Sequence, residues 1–254
     1  MRLKIKIESN QPIILPRSYN HILQAWLYKQ ISDPAYRLFL HNEGYRYENR
    51  TFRLFTFSRL QGSWKVDKEQ SQIIFNSPVY IQIASPLMPF MQEVAMSILM
   101  GEKSYWGRNP ISITSVEVIN DNLPDNMNFW KIRTLSPIVA YSTLLEGEKK
   151  TTRYYRPDEP PFQNLIRENL CKKAAILQEY NPDQYQALKG DFQIRPLFDP
   201  LKTGSTALYY KNFFIKGCIG DFELECGKEW VKIALDTGLG SKNSQGLGMV
   251  EVKI

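Results

Sequence analysis

Histidine is nearly missing from this chain: there are two in 254 residues, His21 and His41. Cysteine is scarce as well. Cys171, Cys218 and Cys226 include no C-x-x-C pair, so neither a disulfide framework nor a structural zinc site is expected, and the thiols read as buried and free. No stretch approaches the roughly 18 uninterrupted apolar residues that a membrane span requires. Residues 1–7 alternate polar and aliphatic side chains, the pattern of a strand and not of a signal peptide, which points to a cytoplasmic protein. Both familiar nucleotide loops are absent: no Gly-Lys-Ser/Thr is present in the glycine-rich run, and Gly238-x-Gly240 is followed by Asn243 where a dinucleotide fingerprint needs its third glycine. Mononucleotide binding is therefore disfavoured. No residues show metal-ligand spacing, and no cofactor is expected.

Acidic residues are short in one place. Residues 1–60 hold ten Lys/Arg against four Asp/Glu, a surplus equal to the net charge of +6 for the whole chain. Basic excess concentrated in one region favours a polyanionic partner, and Arg17 belongs to this group. A second basic cluster, Lys149, Lys150, Arg153 and Arg156, is interleaved with Tyr154 and Tyr155, a mixture that grips phosphates while offering faces for base stacking.

Patterning along the chain predicts an α+β protein. Leu3, Ile5 and Ile7 alternate with charged residues as in a strand with one buried face. A helix follows with Ile22, Leu23, Trp26 and Leu27 on one side, Asn20 or Ser18 being placed to cap it. A short helical piece over 34–41 precedes Gly44. An aromatic strand is expected over 52–58, and a further strand around Val79, Ile81 and Ile83. The apolar spacing of Leu87, Phe90, Met91, Val94, Ala95 and Ile98 predicts a helix with Met91 and Met96 as core filler, and 111–119 reads as a closing strand. Residues 120–128, rich in Asn, Asp and Pro, read as a linker. Beyond it come a strand over 129–135, the basic hairpin, a helix from Pro160 that stops at Asn181-Pro182, strands over 192–195 and 207–216, a helix over 228–235 and a last strand. The order strand-helix-strand-strand-helix-strand occurs twice, so the expected architecture is a tandem pair of ferredoxin-like domains, 1–120 and 121–254, the plan shared by RNA-recognition modules.

Before the last strand, Gly238, Gly240, Gly246 and Gly248 surround Lys242 and Asn243. Glycines so spaced allow positive φ and a close backbone approach to a ligand, the usual way to present amides to a phosphate. This terminal loop resembles that of the CRISPR-associated endoribonucleases of the repeat-associated mysterious protein superfamily, which cut precursor CRISPR RNA at its repeats. The resemblance implies CRISPR repeat RNA as partner, and admits other effector subunits and a homodimer. It also implies a site: the family uses a tyrosine on the first helix, a histidine at the end of the next helical piece and a lysine at the start of the following strand. Tyr28, His41 and Arg53 stand at those positions, with Arg50 as the rival for the third, since the segment between His41 and Arg53 is expanded.

The chemistry can be reasoned from the residues. RNA carries its own nucleophile, the 2′-OH, so cleavage needs in-line positioning, proton transfer and stabilisation of the phosphate charge, and no metal. Histidine suits either proton role at neutral pH, whereas tyrosine needs help to act as a base. Tyr28 lies off the apolar stripe of its helix, and arginine binds a phosphate in bidentate fashion without donating a proton. The expected products are a 2′,3′-cyclic phosphate and a 5′-hydroxyl. Two other readings stay open: a catalytically silent RNA-binding relative, kept alive by Arg53 in place of lysine, and a metabolic enzyme of the same fold that takes a small phosphorylated ligand.

Overall fold

The computed structural model describes residues 1–101, 104–147, 149–210 and 213–253, and the side chains of Glu146 and Lys149 lie outside the described set, so the expectation placed on Lys149 does too. The first half runs β1 (Arg2–Glu8), β2 (Ile13–Pro16), α1 (Asn20–Lys29), α2 (Pro34–Leu38), β3 (Tyr45–Tyr47), β4 (Arg50–Phe52), β5 (Thr56–Phe57), β6 (Gln61–Asp67), β7 (Gln72–Ala84), α3 (Met88–Leu99), β8 (Ser104–Trp106) and β9 (Asn109–Ile119). The second runs β10 (Phe129–Thr134), β11 (Tyr141–Glu146), β12 (Lys149–Tyr154), α4 (Pro160–Tyr180), β13 (Gln193–Pro196), β14 (Ser205–Tyr210), β15 (Phe213–Cys218), β16 (Asp221–Glu225), α5 (Lys228–Thr237) and β17 (Val250–Val252).

In the first sheet β1 is central. It pairs antiparallel with β7, Ile5 opposite Ile81, and with β9, Ile5 opposite Val116, while β6 adds to the far side of β7. The order β6-β7-β1-β9 is the ferredoxin-like arrangement. The second sheet repeats it as β13-β16-β10-β17, with β10 central. The period-2 pattern decides which face is buried: Leu3, Ile5 and Ile7 in β1 and Trp130 and Ile132 in β10 are shielded from water, and each such side chain contributes about 1.5–3 kcal/mol on burial. Three hairpins, β3–β4, β11–β12 and β14–β15, stand outside these two sheets.

Several expectations need correcting. The strand expected over 52–58 is broken: β4 ends at Phe52, Leu54 takes φ 54°, and β5 resumes to pair with β7. The physical reason is that Arg53 turns aside to bond the carbonyls of Leu40 and His41, while the Leu54 carbonyl accepts from Ser85 Oγ at 2.7 Å. The expected strand over 207–216 is instead the hairpin β14–β15. Met91 is core, but Met96 is 57% exposed, because it falls on the outer side of α3 from Phe90, Val94 and Ile98. Neither Ser18 nor Asn20 caps α1 through its side chain. Cys218 and Cys226 are buried and Cys171 is half-buried, and all three are free thiols.

The two halves are joined by direct bonds. Thr56 Oγ1 donates to the Leu247 carbonyl at 3.0 Å, the Arg59 amide to the Leu135 carbonyl at 2.9 Å, and the buried Arg2 guanidinium to the Val250 carbonyl at 3.0 Å. Tyr45 and Tyr180 meet edge to face with ring centres 4.9 Å apart.

Candidate active site and basic cleft

The site begins with α1. Leu23, Trp26 and Leu27 point into the core, leaving a second stripe at i, i+4, i+8: Asn20, Gln24 and Tyr28. The first two hold the glycine loop. Asn20 Nδ2 donates to the Gln245 and Gly246 carbonyls at 2.8 and 3.2 Å, and Gln24 Nε2 to the Ser244 carbonyl at 2.7 Å. The Tyr210 hydroxyl, from β14, donates to Gln24 Oε1.

α2 starts conventionally: Asp33 Oδ1 accepts from the Ala35 amide at 2.8 Å and Pro34 opens the helix. It then widens into a π turn over Phe39–Glu43, closed by the Gly44 amide donating to the Phe39 carbonyl at 2.7 Å. Gly44 has φ 67°, and a Cβ there would lie 2.7 Å from the Phe52 carbonyl oxygen, so the turn requires glycine. The widened turn keeps Leu40 in the core and exposes His41.

Tyr28 and His41 meet edge to face with ring centres 5.3 Å apart. The Tyr28 hydroxyl lies 3.5 Å from the Leu40 carbonyl, and burial pushes its pKa up to about 12, partly opposed by the nearby Arg53 guanidinium. The phenol therefore stays protonated at neutral pH. His41 Nδ1 donates to Asn42 Oδ1 at 2.7 Å, an assignment that follows from the carboxamide oxygen being an acceptor and leaves Nε2 for proton exchange. Arg53 sits in the break between β4 and β5. Its Nε donates to the Leu40 carbonyl at 3.1 Å and its Nη2 to the His41 carbonyl at 2.9 Å, with a longer contact of 3.4 Å to Asn42. The guanidinium thus clasps the turn that carries His41. The structure brings Tyr28, His41 and Arg53 to one place, and His21, in the first turn of α1, is held by its Nδ1 contact with the Ser18 carbonyl at 2.7 Å.

Arg53 also faces a cleft of about 340 Å³ between the two halves, walled by the 50–54 segment, α4 and the glycine loop. Arg50, Arg53, Lys172, Lys173 and Lys242 line it against one carboxylate, Glu168. Both candidates for the third site residue therefore reach the cleft, and of the two Arg53 is the one bonded to the π turn.

The glycine loop differs from the expectation of a cradle of open amides. Gly238, Gly240, Gly246 and Gly248 are all buried, and the amides of Gly238, Gly246 and Gly248 are bonded to the Ala234, Asn243 and Pro137 carbonyls. Protein atoms crowd them: a Cβ at Gly246 would lie 2.3 Å from the Phe57 ring, and one at Gly248 2.0 Å from the Leu239 carbonyl oxygen. Their positive φ and lack of a side chain serve the packing of the loop, which turns the half-buried residues 241–245 toward the cleft. Lys242 adopts the left-handed conformation at φ 63°, and its ammonium lies 5.1 Å from the centre of the Tyr141 ring, where burial lowers its pKa.

Among the described residues, none of the remaining basic candidates bonds to Tyr28 or His41. Arg17 is exposed just after β2. On the second half, Lys150 is exposed on β12, Arg153 pairs with Glu159 at 3.2 Å and packs on Tyr155, and Arg156 pairs with Asp158 at 2.8 Å. The Tyr154 hydroxyl donates to the Phe214 carbonyl at 3.2 Å, tying this hairpin to β15. Its opening residue, Tyr141, forms part of the cleft wall.

Sequence reasoning missed Lys173. It is 2% exposed, and its ammonium donates to the Gly238 carbonyl at 2.7 Å, to Asn243 Oδ1 at 2.7 Å and to the Gly240 carbonyl at 3.3 Å. A signal was present: Lys173 continues the Ile166, Leu170, Leu177 stripe of α4, where a lysine has no outward route. Among the described residues no group of three or more His, Cys, Asp or Glu is arranged to hold a metal, and no helix is long and apolar enough to cross a membrane.

Comparison with known proteins bears on the family and the fold. The family described as CRISPR associated protein Cas6, C-terminal, matches residues 121–252. The CRISPR-associated endoribonuclease Cas6 1 of Methanocaldococcus jannaschii is 26% identical over 260 aligned positions, which span 98% of this chain and 92% of that protein. A Cas6-related protein from Pyrococcus furiosus superposes with a TM-score of 0.81 at 22% identity, covering 100% of this chain and 98% of that one. A structure described as an RAMP protein binding different RNA substrates superposes at 0.78 with 21% identity and complete coverage of both chains. The two structures establish the shared tandem ferredoxin-like fold, and, since the matched region is just over half of its length, the chain belongs to the Cas6 family.

Proposed function

We propose that this protein is an endoribonuclease that cuts precursor CRISPR RNA within its repeats by attack of the 2′-OH, leaving a 2′,3′-cyclic phosphate and a 5′-hydroxyl. The observation that carries the reading is the convergence of Tyr28, His41 and Arg53, with rings 5.3 Å apart and the guanidinium 2.9 Å from the histidine's own carbonyl. The name of the M. jannaschii relative supports the activity class. In this reading residues 1–120 supply the chemistry and residues 121–254 the larger share of RNA contacts, including Lys150, Arg153, Arg156 and Lys242.

Each group has a distinct task. His41 Nε2 takes the proton of the attacking 2′-OH and, as the imidazolium, gives it to the 5′-oxygen as the P–O5′ bond breaks, proton transfer of a kind worth about 10²–10⁴ in rate. Tyr28, with its pKa pushed up to about 12, acts as a neutral hydrogen-bond donor that positions the phosphate and the imidazole ring and not as a base. Arg53 holds the turn through Nε and Nη2, and its cleft-facing donors neutralise charge growing on the phosphate. The scheme routes every proton through protein groups and asks for no metal.

One observation favours a second reading, a silent RNA binder: the Arg53 donors that meet Leu40 and His41 are bonded to backbone. Incubating the protein with repeat RNA separates the two. A shortened RNA whose formation is blocked by a 2′-deoxy substitution at the scissile nucleotide supports the nuclease. Retained binding with intact RNA supports the binder.

A further inference from the structure

Lys173 poses a physical problem. A lysine buried to this degree is costly unless each of its donors is satisfied, and among the described residues it forms no ion pair. Its partners are three neutral oxygens, those of Gly238, Gly240 and Asn243, one for each N–H of an ammonium. All three belong to the glycine loop, so α4 grips that loop at a single atom.

The Asn243 carboxamide passes the constraint on. With Oδ1 held by Lys173, Nδ2 donates to the Leu239 carbonyl at 3.1 Å and the Leu247 carbonyl at 3.0 Å, tying together the two arms of the loop. A flipped amide would set NH₂ against the ammonium and Oδ1 against two carbonyl oxygens, so the lysine and the two carbonyls together fix the orientation. Lys242, next in the chain, is thereby held in a left-handed conformation that costs a non-glycine residue free energy, and that conformation aims its side chain over Tyr141 into the cleft. On the opposite side, Asn20 and Gln24 pin Ser244, Gln245 and Gly246 to the helix that carries Tyr28.

We propose that Lys173 is a positioning residue for RNA binding: through Asn243 it sets the loop so that Lys242 meets a phosphate in the cleft. The proposal rests on the reading that this cleft takes RNA. Lys173 itself touches no RNA.

The test is binding of a repeat RNA carrying a 2′-deoxy block, measured across a salt series for the intact protein and for Lys173→Met, Lys242→Gln and the double variant. Loss of one phosphate contact lowers the salt slope by about 0.7 for a single strand. Lys242→Gln and Lys173→Met should each weaken binding by about tenfold and lower the slope by about that amount, and the double variant should bind no more weakly than the singles. Should Lys173→Met fail to fold, Asn243→Ser, which removes the link and leaves Lys173 in place, should lower the slope in the same way. Full affinity and slope in Lys173→Met or in Asn243→Ser, or effects that multiply in the double variant, overturn the proposal. Unchanged binding by Lys242→Gln would instead sink the RNA reading of the cleft.

Discussion

Replacing Arg53 by lysine separates charge from geometry at the candidate site. The guanidinium makes two good bonds to the π turn, 3.1 Å to Leu40 and 2.9 Å to His41, while the third at 3.4 Å adds little. A buried charge-assisted bond is worth about 1.5–3 kcal/mol net, and solvent access at this half-buried residue reduces each to about 1 kcal/mol, or about 2 kcal/mol for the pair. A lysine ammonium replaces one of these bonds at most, because it lacks the planar fork that spans both carbonyls. If the loss is expressed as misplacement of His41, cleavage should fall about 5-fold in Arg53→Lys and about 30-fold or more in Arg53→Ala, where the phosphate charge is lost too. The assay is single-turnover cleavage of a short repeat RNA at saturating enzyme, with affinity measured separately on the 2′-deoxy RNA. Cleavage by Arg53→Lys at the original rate would show that charge alone suffices and that the clasp is irrelevant.

Three further outcomes follow. His41→Ala should lower single-turnover cleavage about 10²-fold or more with RNA affinity nearly unchanged, and an unaltered rate removes His41 from the mechanism. The raised pKa of Tyr28 gives a stability term that is present in full below pH about 10, where the unfolded phenol titrates, and is lost as pH rises through about 12. Denaturant midpoints between pH 9 and 12 should therefore fall more steeply for the intact protein than for Tyr28→Phe, and parallel curves would refute the shift. Gly248→Ala should destabilise by about 2–4 kcal/mol, since it combines φ 76° with a Cβ 2.0 Å from a backbone oxygen, whereas Gly147→Ala, at φ 64° with nothing within 4 Å, should cost about 1 kcal/mol in a thermal melt.

What could be read in the sequence, and what could not, divides along physical lines. Alternation in β1 and β10 and helical spacing in α3 and α4 are local signals of burial, and the two ferredoxin-like halves were legible from them. Tyr28 and His41 were legible because histidine is so scarce and because the chain resembles a known family. The break at Arg53–Leu54 was not, since 52–58 is rich in aromatic residues like a strand and only the carbonyls of the distant π turn draw Arg53 aside. The glycines showed that the loop takes unusual backbone angles but not which side the crowding atoms lie on; Phe57, Asn20 and Leu239 proved to supply the constraint. Lys173 stood in an apolar stripe, yet its partners lie 65 to 70 residues away, a separation that periodicity does not register.

The central claim is that a ribose hydroxyl attacks while protein side chains carry the protons. Its most direct test is the chemistry of the new ends when repeat RNA is cut in the presence of a metal chelator. The account predicts undiminished cutting with a 2′,3′-cyclic phosphate on one fragment and a 5′-hydroxyl on the other. A 3′-hydroxyl paired with a 5′-phosphate, or cutting that stops in chelator, would contradict it.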